Sequence, residues 1–480
     1  MGFKITFIGA GSLSFTRTLI SDLLAVPEFK DIEIAFNDIN QQNLDMVTEI
    51  CQRDIDANGL NIKIHPTLNH REALTGAKYI INCARIGGLE GFATDVDIPL
   101  KYGVDQCVGD TLCAGGIMYG QRGISAMLGF CKLIKEVSLP GAIMLNYGNP
   151  NAMMTWAANK YGDVYTLGLC HGVQGGHMQI AGVLGIPAEE LDYVCAGINH
   201  QTWYTKLTHK GVDMMPGLLE AFEKHPRISQ TEKVRIDMLK RFGYYSTESN
   251  GHLSEYVAWY RKRPDEINKW IHMDSWIDGQ TGGYLKVCIE GRNWFETEFP
   301  KMREEAPRIY GSRSHEHGSF ILESLETSRM YRGHFNVMNN GCISNLPDES
   351  IVEVPCYVDG NGISVAQYGE LPLGAAAVCS QSIWVQRLAV EAAVHADIQL
   401  LRQAMMMDPL TGAVCNTAEI CQMVDEMLIS CEEWLPLWKD EIKLAKKRLE
   451  DAKADGTYIK TNEGYRGAAR LEVGAAKKYK

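Results

Sequence analysis

Short apolar runs alternating with amphipathic stretches constrain this chain more than any other feature. Lys4–Ile8 (KITFI), Ile32–Phe36 (IEIAF), Lys78–Asn82 (KYIIN), Ala142–Asn146 (AIMLN) and Val164–Leu169 (VYTLGL) read as buried strands. Ser12–Val26, Gln41–Asn58 and Gly123–Val137 carry helical periodicity. Strand and helix in this rhythm predict an α/β protein whose first lobe is a doubly wound parallel sheet with helices on both faces. The alternation fades after about His200, where aromatic and charged residues become denser. That change predicts a second, mixed α+β lobe. The expected domains are 1–195, 196–455 and a polar, Lys-rich tail at 456–480. In the second lobe, Gly374–Met407 and Thr417–Leu435 read as helices. The Ala-rich Gly374–Met407 stretch suits a core or an interface, so a homodimer or homotetramer is expected.

Gly9-Ala10-Gly11-Ser12 lies where the first strand meets the first helix. Glycines there let the chain turn tightly and let a pyrophosphate approach the helix N-terminus. The third glycine of GxGxxG is missing, since Ser14 takes its place. Asp38 ends the second strand, where a carboxylate would accept hydrogen bonds from ribose hydroxyls and repel a 2′-phosphate. The loop, with Leu13 behind it, therefore predicts NAD binding in a Rossmann-type domain, followed by an α+β catalytic and oligomerisation domain as in lactate and malate dehydrogenases. The competing reading is an α/β protein with a glycine turn and a helix-capping Asp.

Cys170-His171-Gly172-Val173 follows the VYTLGL run, and His200 closes the next extended stretch, Ala196–His200. Strand ends are where such sheets hold ligands. A thiolate and an imidazole there can hold a divalent metal, with a sugar diol completing the shell. On spacing alone, a buried Cys and two hydrogen-bonded histidines explain them better. The formal net charge of −12 argues against sequence-independent nucleic-acid binding. No window of eighteen apolar residues or signal-like segment is present, and the 14 cysteines lack a CxxC pair. A reduced, cytoplasmic protein without a membrane span is expected.

Taken in order, GAGS, Asp38, Arg85-Ile86-Gly87-Gly88, Asp110-Thr111, Asn146–Pro150, CHGV and GINH resemble glycoside hydrolase family 4. So do Thr247-Glu248-Ser249, His252–Tyr256 (HLSEY) and Asn345-Leu346-Pro347. The likeness runs from Lys4 to about Trp438 and is nearest to the α-galactosidase and α-galacturonidase branch. It implies NAD and Mn²⁺ or another divalent metal. It implies hydrolysis through oxidation at C3 of the sugar, C2 deprotonation, elimination, water addition and re-reduction, outside the usual two-carboxylate scheme.

Carried over residue by residue, Cys170 and His200 are the metal ligands. Gly9, Ala10, Gly11, Ser12, Leu13, Asp38, Arg85 and Asn149 hold the cofactor, and Asn149 also positions the sugar. His171 is the candidate acid, with substrate hydrogen bonding as its alternative role. Tyr256 is the candidate C2 base and Glu255 its rival. Asn199 and His252 are expected at the substrate. The α-galactosidases commonly read CHSV and SREYA. Gly172 therefore departs from the pattern, as does the Arg313–Gly318 loop, where His315 and His317 replace Arg and Tyr. A vacated side chain beside altered cations suggests a carboxylate at C6, hence an α-galacturonidase acting on short pectin fragments. An α-galactosidase or α-glucuronidase is the alternative within the family. Outside it stand a 2-hydroxyacid dehydrogenase and an NAD-sensing binding protein.

Overall fold

A computed structural model describes residues 2–292 and 294–461, so most of the expected tail lies outside the described residues. The apolar runs of the first half form β1 (Lys4–Ile8), β2 (Glu33–Asn37), β3 (Ile64–Thr67), β4 (Tyr79–Asn82), β5 (Ile143–Asn146) and β6 (Thr166–Gly168). They stand in the order β3-β2-β1-β4-β5-β6 with every neighbouring pair parallel. Ile5, Phe7, Ile34, Phe36, Ile80 and Leu145 are buried. With helices on both faces, neither side of an inner strand meets water, so these runs need no polar alternation, whereas His65 and Pro66 of the edge strand β3 are exposed. Between β1 and β4 the strand order reverses and opens a crevice at the strand ends. The Gly9–Ser12 loop leaves β1 at that crevice.

The second half adds β7 (Leu191–Ile198), β8 (Gln201–His209), β9 (Val212–Asp213), β10 (Tyr245–Ser246), β11 (Tyr331–Met338), β12 (Ile351–Asp359) and β13 (Gly362–Val365). All of their pairings are antiparallel. Their order β10-β8-β7-β12-β11 continues directly into β6, so both halves share one sheet. Two junctions in it rest on single residue pairs, Asn336 with Gly168 and Glu353 with Gly197. Both glycines sit at close approaches. A Cβ on Gly168 would fall 2.1 Å from Asn151 Oδ1, and one on Gly197 2.5 Å from the Gln201 carbonyl.

Two helices differ from their sequence reading. The helix expected at Gly123–Val137 begins ten residues earlier and spans Cys113–Val137. Its glycine-rich start reads as a loop, yet Asp408 accepts the Cys113 N–H at 3.0 Å and anchors the first turn. The expected helix Gly374–Met407 is two helices, Leu373–His395 and Ile398–Met407. Ala396 takes a left-handed backbone, and the Asp397 side chain caps the second helix through the Gln399 and Leu400 N–H groups. The Ala-rich segment packs against Cys113–Val137, so core contacts account for its composition. All fourteen cysteines are free. Among the described residues, no helix is long and apolar enough to cross a membrane.

Candidate active site

The nucleotide loop is built around two close approaches. Gly9 has φ 78°, and a Cβ there would meet the Ala84 backbone at 2.6 Å. A Cβ on Gly11 would meet Asp38 Oδ2 at 2.6 Å. Asp38 Oδ2 accepts the Gly11 N–H at 2.7 Å, and Oδ1 accepts the Asn40 N–H at 2.9 Å. Asp38 therefore braces the loop. Ser12 caps the helix Leu13–Leu24 without a side-chain hydrogen bond, which leaves the helix N-terminus to an incoming anion. Leu13 faces the core and supports the loop from behind. The residues present thus fit a dinucleotide.

A cleft lined by Phe15, Ala84, Arg85, Asn149, Cys170, His171 and His200 opens beside this loop, since the Ala84 backbone abuts Gly9. The Arg85 guanidinium lies among the rings of Phe92, Tyr119 and Tyr284 at its wall. Asn149 donates to Asp110 Oδ2 at 3.0 Å, and Asp110 Oδ1 accepts from the Thr111 hydroxyl at 2.9 Å. Thr111 Oγ1 reaches His200 Nδ1 at 3.0 Å, and the Tyr256 hydroxyl lies 3.3 Å from the same nitrogen. This chain of contacts fixes the imidazole, with Nε2 directed at Glu248 Oε1, 3.8 Å away.

Cys170, His200 and Glu248 form the cluster at the centre of the site. Cys170 follows β6 through Leu169, and His200 lies in the two-residue turn joining β7 to β8. Cys170 Sγ lies 3.6 Å from Glu248 Oε1. The three ligand atoms are all within 4.8 Å of one another. Two ligands at about 2.1–2.3 Å from one ion are at most about 4.5 Å apart, so a small inward movement lets one divalent ion touch all three. His200 (φ 63°) and Glu248 (φ 70°) both hold left-handed backbones, which residues with a Cβ seldom adopt.

Burial lowers the His200 pKa and keeps the ring neutral, the form that ligates a metal. Burial, with Glu248 and Glu353 nearby, pushes the Cys170 thiol well up, so a cation must displace its proton. Burial also acts to raise Glu248, but His200, His252 and His171 hold its carboxylate down at about 2. The residues present fit a divalent metal with mixed S/N/O ligands.

Several sequence expectations meet here and others do not. Tyr256 reaches His200 as expected, and His252 stands edge-on to the His200 ring at 5.1 Å. His252 also lines a second cleft, with His171, Glu232, Arg235, Glu248 and Trp276. His171 borders both clefts and lies 3.6 Å from Glu316 Oε1.

Glu255 does not share the His252–Tyr256 face. Its carboxylate accepts the backbone N–H groups of Cys107, Val108 (2.7 Å) and Gly109 (3.2 Å). This role is structural, because those three donors are buried and have nothing else to meet. Glu255→Gln is expected to lower stability by about 1–3 kcal/mol, read as a drop in melting temperature. An unchanged melting point with lost turnover would return Glu255 to the chemistry.

The expected cationic cluster is also absent. Arg313 pairs with Glu323 at 2.5 Å and stacks on Phe320. His315 is exposed. His317 is buried against Tyr331 Oη at 2.7 Å, and burial brings its pKa to about 4. The vacated position at Gly172 is filled by Glu248, whose Oε1 would lie 2.1 Å from an added Cβ. Asn199, the other residue of the β7–β8 turn, is buried beside Glu353. The sequence reading gave no role to Asp110, Glu248 or Glu316. Glu248 carried one signal, an acidic residue just before the Ser249 cap and four residues from His252.

The sequence model described as "Family 4 glycosyl hydrolase" matches residues 4–186, and its C-terminal domain model matches 195–411. The chain belongs to glycosyl hydrolase family 4. It is 55% identical over 474 residues to an "Alpha-galactosidase" of Rhizobium meliloti (strain 1021), covering 98% of this chain and 96% of that one. It is 33% identical over 444 residues to an "Alpha-galactosidase" of Bacillus subtilis (strain 168), covering 91% and 100%. A solved 6-phospho-alpha-glucosidase from gut microorganisms, in complex with NAD and glucose-6-phosphate, superposes with a TM-score of 0.75 at 26% identity. That match covers 91% of this chain and 99% of the other. The family and its NAD-holding relative agree with the fold and loop described above.

Proposed function

We propose that this chain is an NAD- and divalent-metal-dependent α-galactosidase acting on small neutral α-galactosides. The observation that carries the reading is the Cys170–His200–Glu248 cluster, two of whose members line the cleft that passes Ala84, next to Gly9 of the nucleotide loop. Bound NAD⁺ supplies a hydride acceptor for a sugar carbinol, and a divalent ion supplies a Lewis acid for the neighbouring oxygens.

The chain's own residues supply the rest. Cys170, His200 and Glu248 hold the ion, while Asp110 orients Asn149, whose amide positions the sugar between loop and cluster. Tyr256 is the candidate for taking the C2 proton at its hydroxyl oxygen. Burial, with Asp110, Glu255 and Glu248, keeps that phenol protonated, and a cation at the cluster adds the opposing charge. His171, on the wall between the two clefts, is the candidate for passing a proton to the departing glycosidic oxygen.

The pairing of the cations around the site supports a neutral sugar. A uronate carboxylate would meet Glu232, Glu248 and Glu316, while Arg85 is stacked among three rings, Arg235 already bonds Gln179 and the Ser246 carbonyl, and the free Arg313 and charged His317 that the galacturonide reading needs are missing. The 55% identity to an α-galactosidase supports the same choice. With NAD⁺, Mn²⁺ and a thiol reductant, kcat/KM for p-nitrophenyl α-galactoside is expected to exceed that for the α-galacturonide by about tenfold or more. Arg313→Ala is expected to leave this ratio within about twofold. Faster turnover of the galacturonide, or its selective loss on Arg313→Ala, would replace the neutral sugar with the uronate.

A further inference from the structure

We infer that Glu248 is a third protein ligand of the divalent ion, and that the missing side chain at position 172 is what admits it. The inference rests on the metal reading above and deepens it. Gly172 opens the helix Gly172–Leu184 and is absent from the positive-φ residues, so its backbone does not demand glycine. The demand comes from space. A Cβ there would lie 2.1 Å from Glu248 Oε1 and 3.5 Å from Cys170 Sγ. The Gly172 N–H points at Cys170 Sγ at 3.3 Å, so position 172 touches two members of the cluster.

The Glu248 carboxylate is 13% exposed and lies 3.8 Å from His200 and 3.6 Å from His252. Among the described residues no Lys or Arg pairs with it within 4.0 Å. A carboxylate this enclosed, with only imidazoles beside it, suits a cation. With the Cys170 thiolate it brings two negative charges to a divalent ion, and its oxygen suits a hard ion that thiolate and imidazole alone serve poorly.

The test titrates Mn²⁺ into metal-stripped, reduced full-length protein and follows free Mn²⁺ by electron paramagnetic resonance. Glu248→Gln is expected to raise the Mn²⁺ Kd by about 10–100-fold. Gly172→Ala is expected to raise it in the same direction by displacing the carboxylate. The double variant is expected to be no weaker than the worse single variant. With Co²⁺ at saturation, the sulfur-to-metal absorption band is expected to persist in Glu248→Gln and vanish in Cys170→Ser. NAD⁺ binding reports that each variant is folded. If Glu248→Gln fails that check, Gly172→Ala carries the same test with the charge retained. Wild-type affinity in Glu248→Gln overturns the inference and leaves Cys170 and His200 as the site. Additive losses in the double variant overturn the role given to Gly172. No Mn²⁺ binding by the wild-type protein overturns the metal reading itself.

Discussion

Cys170→Ala is expected to lower kcat/KM for p-nitrophenyl α-galactoside by about 10³-fold or more, with no rescue by millimolar Mn²⁺. The thiolate is the soft, negatively charged member of the cluster, and no other described cysteine is among its ligand atoms. On the proposed site, an ion would then be left with only His200 and Glu248. The sugar oxygens would lose charge that stabilises proton removal next to a carbonyl. The fold is expected to survive. Cys170 is only partly buried, follows a three-residue strand and takes no part in the strand pairing of β6. Melting temperature and NAD⁺ affinity are therefore expected to stay near wild type while metal content falls. Retention of more than about a tenth of wild-type activity would remove Cys170 from the chemistry.

The parallel half of the fold was legible because its strands are buried on both faces. The five runs picked out by apolarity match β1, β2, β4, β5 and β6 to within a residue or two at their ends. The early onset of the Cys113–Val137 helix was not legible. Gly115 and Gly116 look like helix breakers, yet they allow close approach. A Cβ on either would fall 2.6 Å from the Gly109 carbonyl oxygen or 2.4 Å from the Thr111 carbonyl carbon. The break at Ala396 lay within an unbroken apolar periodicity, with only Asp397 to signal a new cap.

In the site, strand ends marked Cys170 and His200 as candidates, and the family resemblance gave them and Asn149 their roles. Glu248 was hidden because topology alone brings it 78 positions back to Cys170. Glu255 was misread because a six-residue helix fixes spacing but not which way each side chain turns. The Arg313–His317 loop was misread because charge in a sequence does not reveal pairing. Glu323, ten residues on, already occupies Arg313.

The second large effect concerns the cofactor. Removal of NAD⁺ is expected to reduce hydrolysis by at least about 10²-fold, and adding it back to restore the rate. The Gly9–Ser12 loop alone would serve a dehydrogenase equally well. The difference lies at Cys170, His200 and Glu248, which offer a metal site rather than an Arg and His pair for a carboxylate. On the proposed mechanism a hydride taken from the sugar would be returned before the product leaves, with no net change in the nicotinamide.

The deciding measurement follows p-nitrophenol release and nicotinamide absorbance together, on protein stripped of NAD⁺ and supplied with Mn²⁺. The account predicts negligible release without NAD⁺, full release with it, and no net NADH at steady state. Full hydrolysis by the stripped protein, or one NADH formed per sugar consumed, would contradict it.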